Sequence, residues 1–199
     1  MATKRPDGGT DSGGPAPSSA PPPPPNTWAI FVTYLLLGTA LSFAFGREPG
    51  TVSPDIVREI CPTVLVVCLF ITSYSLSDVM AVGIAKARHG FMTIPYGSLQ
   101  SHPPEEVYFA MRAQSNQVEQ MPGFIVASLS FSLFVNGKVG AVLALLWAVL
   151  RRLYASCFRA SVGKTLNQIG LSRFTIPAYF IVNSMLMGTA VQCVRSLSK

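Results

Sequence analysis

The chain has 199 residues, 49% of them apolar and only 12% charged, with a formal net charge of +6. Soluble domains carry about 25% charged residues, so half the usual charge is missing and a soluble globular domain is excluded. The basic residues gather at the ends of apolar segments, not in a stripe interleaved with aromatics, which argues for membrane topology and against a nucleic-acid partner.

Residues 1–26 (MATKRPDGGTDSGGPAPSSAPPPPPN) are dominated by Gly, Pro, Ser and Ala. Such a stretch cannot bury enough apolar surface to offset its ordering entropy, so a disordered tail is expected, with polyproline character at Pro21–Pro25. It is too long, and too poor in charge beside the apolar run, for a typical cleaved signal peptide. Five apolar segments follow. The first lies within residues 27–46 and is just long enough to cross a bilayer. A short polar connection, Arg47–Ile60, leads to the second, Pro62–Ala85, which holds the intramembrane acid Asp78. The loop 86–104 carries Lys86, Arg88, His89 and His102, and His102 beside two prolines reads as exposed. The third segment, Glu105–Asn136, begins polar and turns apolar after Pro122. A tight turn at Asn136-Gly137-Lys138 leads to the fourth, Val139–Phe158, and a basic loop, Arg159–Arg173, to the last, Thr175–Val194. These lengths predict an all-α integral membrane protein. Cys61, Cys68, Cys157 and Cys193 have no metal or redox spacing, so they are expected to be small core residues, with no disulfide framework and no metal.

With five crossings, one side of the membrane receives nine basic residues: Lys4, Arg5, Lys86, Arg88, Arg151, Arg152, Arg159, Lys164 and Arg173. The other receives five, so the tail and the loops 86–104 and 159–173 are expected on the cytoplasmic side.

The polar stretch FAMRAQSNQVEQMPGF, residues 109–124, places Arg112, Asn116 and Glu119 at i, i+4 and i+7 of a helix, on one face, with Gln120 at its edge. An ionisable group inside a spanning segment is costly unless it faces the bundle interior or water, so Arg112 and Glu119 are candidate functional residues. Arg151 and Tyr154 of the fourth segment, three apart on one face, and Arg88 and His89 from the second reach the same side of the membrane. Two arrangements fit. Arginines, one carboxylate, an asparagine and a tyrosine hydroxyl make a cradle for a small anion bearing an amine. Alternatively, Arg112 pairs with Glu119 across two turns, or both reach to the interface.

The stretch RAQSNQVEQMP resembles the Arg-Ala-Gln/His-x-Asn-x-x-Glu-x-x-Pro helix of the MAPEG family, the membrane-associated proteins in eicosanoid and glutathione metabolism. AKARHGF (85–91) is similar to the family's basic stretch after its first core helix, and RRLYASCF (151–158) to the Arg-x-x-Tyr-x-x-x-Tyr stretch of its third. The resemblance covers residues 62–195 and looks closest to the branch with the microsomal glutathione transferases and leukotriene C synthase. It implies a left-handed four-helix transmembrane bundle, here with one extra N-terminal transmembrane helix, assembled as a homotrimer in the endoplasmic reticulum membrane. It also implies glutathione as co-substrate, held by Arg112, Asn116, Glu119 and Tyr154 with help from Gln114 and Arg88, facing the cytoplasm. Two positions depart from the family: its second tyrosine is Phe158 here, and its thiol-activating arginine has no clear match, leaving Lys164 or Arg151 for that role.

The mechanism implied is thiolate attack on a lipophilic electrophile, or reduction of a lipid hydroperoxide. A nearby cation lowers the thiol pKa from about 8.5. The retained Arg-Asn-Glu set favours such an enzyme. Phe158, the unassigned activating cation and the extra helix favour a non-catalytic member of the same fold, either lipid-binding or built into a larger membrane assembly. No internal inverted repeat supports a transporter.

Overall fold

In the computed structural model, the described residues are Ala29, Val32, Leu36, 54–90, 103–164 and 170–198. The expected tail 1–26, most of the expected helix 27–46 and His102 lie outside them; Ala29, Val32 and Leu36 are helical. The remaining described residues form four helices and no strand: α1 (Pro54–Arg88), α2 (Glu105–Phe134), α3 (Gly137–Arg159) and α4 (Ser172–Leu197).

Helix α1 begins eight residues before the expected start. Pro54 opens it, where a missing N–H costs nothing, and Asp55 in the first turn complements the helix dipole. One π-helical turn, Ser75–Val79, interrupts it and adds a residue to the helical repeat at Asp78. The helix continues through Pro62, as α2 does through Pro122 and α4 through Pro177. Membrane helices accommodate such breaks because neighbouring groups satisfy the freed carbonyls. The expected turn at Asn136 takes the form of an N-cap, whose side-chain oxygen accepts from the Val139 amide at 2.9 Å.

Helices α2 and α3 form the central pair, and α1 and α4 pack against both. All four meet around Phe70, Phe124 and Trp147, with Val67, Ala144, Ala148 and Ala178. Phe124 and Trp147 stack at 3.8 Å, and Phe70 meets both edge-on. Glycines let the far end of the bundle close. A Cβ on Gly137 would collide with the backbone carbonyl of Glu59, and one on Gly140 with Ser132. The Gly137 amide instead donates to Glu59 Oε2 at 2.6 Å, and the Thr63 and Ser132 hydroxyls bond at 2.6 Å.

Three of these helices, α1, α3 and α4, are long and apolar enough to cross a membrane. Helix α2 has the length, 30 residues, but its first half carries the polar stripe. Large apolar side chains such as Leu65, Val126, Leu145, Phe180 and Met187 face outward, as lipid contact allows. The same solvent explains a correction to the cysteines. Cys61 and Cys68 are exposed, and Cys157 and Cys193 only half-buried. In a bilayer an apolar side chain gains little by turning inward, so hydrophobicity does not assign it to the core.

Candidate functional site

The candidate residues gather where α1 and α3 end and α2 begins. At 100° per residue, α2 turns Ala113 and Gln117 into the bundle and leaves Arg112 and Glu119 on its open side. Arg112 Nη1 lies 3.4 Å from Glu119 Oε1, and the two side chains are 50% and 53% exposed. The pairing of these two residues across two turns, one of the two arrangements the spacing permits, is therefore present. An open cavity of about 290 Å³ lies beside it, lined by Gln114, Ser115, Val118 and Glu119. Gln114 also donates to the Tyr74 hydroxyl of α1 at 3.2 Å.

Asn116 does not share this open face. It stands roughly 40° around the helix from Arg112, enough to point it at α3, where its Oδ1 accepts from Arg151 Nη2. The same Nη2 also donates to the Asn116 carbonyl at 2.9 Å. Arg151 is buried, and its Nε donates to Gln117 Oε1 at 2.9 Å while Gln117 Nε2 donates to the Arg151 carbonyl at 2.7 Å. The guanidinium lies over the Tyr154 ring at 4.7 Å and near Trp147 at 5.8 Å. Gln117, which the sequence reading passed over, is thus the residue that fixes Arg151.

Tyr154 and Phe158 are both buried, 5.8 Å apart, in a cluster with Phe109 and Ala113. The Phe158 ring lies 5.2 Å from Phe109, so the position that departs from the family pattern is a core position here.

At the periphery, Arg88 and His89 are engaged with Glu106. Arg88 Nη1 lies 2.7 Å and His89 Nε2 3.0 Å from the Glu106 carboxylate, tying the end of α1 to the start of α2. Lys164 is exposed in the turn after α3. That turn is tethered by the Gly163 amide, which donates to Glu105 Oε2 at 3.0 Å. Glu105 lies two turns, roughly 10 Å, before Arg112 on α2.

A second polar cluster lies between α1 and α3. Asp78, fully buried in the π turn of α1, receives Arg152 and Arg159 of α3, and Arg152 also donates to the Ser77 hydroxyl. Besides adding to the basic charge at that end of α3, Arg152 and Arg159 turn toward α1 and pair with Asp78. The available signal was Asp78 itself, because a lone carboxylate in an apolar run needs a cation from another helix. Two arginines seven apart share the face of α3 that supplies it.

Among the described residues no group of His, Cys, Asp and Glu could hold a metal ion. The model of the MAPEG family matches residues 62–190, well over half of the chain. No curated protein and no solved structure matches it.

Proposed function

The chain belongs to the MAPEG family, and from that premise we propose that it is a membrane-bound glutathione transferase that also reduces lipid hydroperoxides with glutathione. The observation that carries this reading is the half-exposed Arg112–Glu119 pair beside an open cavity. A zwitterionic ligand can exchange with such a pair: its carboxylate takes Arg112 in a two-pronged bond and its ammonium takes Glu119. Gln114, bonded to Tyr74 on the cavity wall, belongs to the same proposed ligand set. Asn116, held by Arg151, and Tyr154 behind it complete the proposed ligand set, with Arg88 contributing at the loop edge.

Because this face of α2 is open, the reading includes a homotrimer of left-handed four-helix bundles in which a neighbouring subunit closes the site. An extra N-terminal helix, the endoplasmic reticulum membrane and a cytoplasmic-facing site belong to the same proposal. In the reaction, the glutathione thiol loses its proton to solvent and the sulfur forms a bond to the electrophilic carbon. The displaced group then leaves with its electron pair. With a hydroperoxide, two glutathione thiols supply the two electrons, giving alcohol, water and glutathione disulfide. The protein supplies position and charge. Of the two candidate activating cations, Lys164 is exposed, whereas Arg151 is buried and occupied by Asn116 and Gln117. Arg151 therefore acts as a positioning residue and Lys164 as the activating one.

The test is a glutathione titration of the purified protein in detergent, wild type against Arg112→Ala. Removing the carboxylate anchor and leaving Glu119 unpaired should weaken binding by more than about tenfold. Unchanged affinity in a folded variant would make the stripe structural. One observation favours the non-catalytic alternative: position 158 carries no hydroxyl, and Tyr154 is buried beside it in the same cluster. Glutathione binding without turnover of any lipophilic electrophile or hydroperoxide would support that alternative.

A further inference from the structure

On the outside of the bundle, α1 and α3 enclose a groove of about 320 Å³ that shares no lining residue with the Arg112–Glu119 cavity. Its walls are Val66, Leu69 and Phe70 of α1 and Leu145, Val149 and Leu153 of α3, and Arg152 stands at one end. From Leu145 to Arg152 is two helical turns, roughly 10 Å. The apolar floor therefore runs inward from the arginine, away from the end of α3 at Arg159.

The charge at that end does not balance. Asp78 is a single carboxylate facing two guanidiniums, those of Arg152 and Arg159. Among the described residues, this ion cluster carries one more positive charge than negative. The two arginine side chains are 25% and 22% exposed, so the surplus is open to the outside. A surplus charge beside an apolar groove attracts a counter-charge. The cluster lies within the last two to three turns of α3, near the level at which lipid headgroups lie.

We propose that this groove is a binding site for an anionic phospholipid, its phosphate against Arg152 and one acyl chain along Leu145 and Val149. The apolar walls alone would accept any lipid chain. The surplus guanidinium selects the headgroup.

The experiment is native mass spectrometry of the full chain in neutral detergent, supplied with equal amounts of phosphatidylglycerol and phosphatidylcholine carrying identical chains. Wild type should retain phosphatidylglycerol over phosphatidylcholine by about fivefold, the expectation for one basic group facing an anionic headgroup. Arg152→Gln, which leaves Asp78 balanced by Arg159 alone, should abolish the preference. Val149→Trp fills the groove at an exposed position and keeps Asp78, Arg152 and Arg159 unchanged, so it should fold and lose both lipids. It decides the matter alone if Arg152→Gln does not fold. Equal retention of the two lipids by wild type, or a preference that survives Val149→Trp, would overturn the proposal.

Discussion

Gln117 and Arg151 are bonded to each other twice, side chain to side chain at 2.9 Å and side chain to carbonyl at 2.7 Å, inside the α2–α3 interface. A buried guanidinium needs its donors filled, and a glutamine with both donor and acceptor at the same place fills one while capping the arginine's own carbonyl. This lock sets the rotation of α2 against α3, and through it the direction of Asn116.

Gln117→Leu keeps the volume but leaves one Arg151 donor unsatisfied. It should lower stability by about 1–3 kcal/mol, read by denaturant titration in detergent, whereas Arg112→Ala on the open face should leave stability nearly unchanged. Equal effects of the two substitutions would show that the buried lock has no special weight.

Phe158→Tyr places a hydroxyl in the cluster of Phe109, Ala113 and Tyr154. Placing an oxygen among these largely apolar side chains should cost about 1–3 kcal/mol of stability. Glutathione affinity should change by less than about threefold, because Arg112 and Glu119 keep the charged contacts. Tyr154→Phe, measured alongside, should weaken binding clearly. A large gain in affinity from the new tyrosine would mean that position 158 reaches the ligand.

Asp78→Asn removes the carboxylate between two guanidiniums. Breaking a buried ion pair from one side costs about 3–5 kcal/mol, so this single change should be among the most destabilising in the chain. Adding Arg152→Gln and Arg159→Gln to it removes the stranded charges and should recover part of the loss. A mild effect of Asp78→Asn, with no recovery in the triple variant, would count against an ion cluster held together by Asp78.

Lys164→Gln tests which cation activates the thiol. A positive charge close to the sulfur lowers its pKa, so removal should move the pH–rate midpoint upward by roughly one unit while leaving the affinity for glutathione little changed. A profile that stays in place would return the role to Arg151.

Composition and apolar run length determined that this is a helical membrane protein, and the turn at Asn136-Gly137 and the approximate outlines of α2, α3 and α4 followed from the apolar runs and the polar residues that break them. The polar stripe of α2 and the family were legible too, since both rest on residue types at fixed spacing along one chain. Tertiary structure decided which of those polar groups work together. A helix fixes its side chains to within an angle about its own axis, but not the rotation of that axis against its neighbours. That rotation turned Asn116 away from Arg112 and toward Arg151, put Tyr154 and Phe158 in the core, and drew Arg152 and Arg159 onto Asp78. In a bilayer the outward face is apolar as well, so hydrophobicity leaves the rotation open. The buried polar groups settle it, because each must find a partner on another helix.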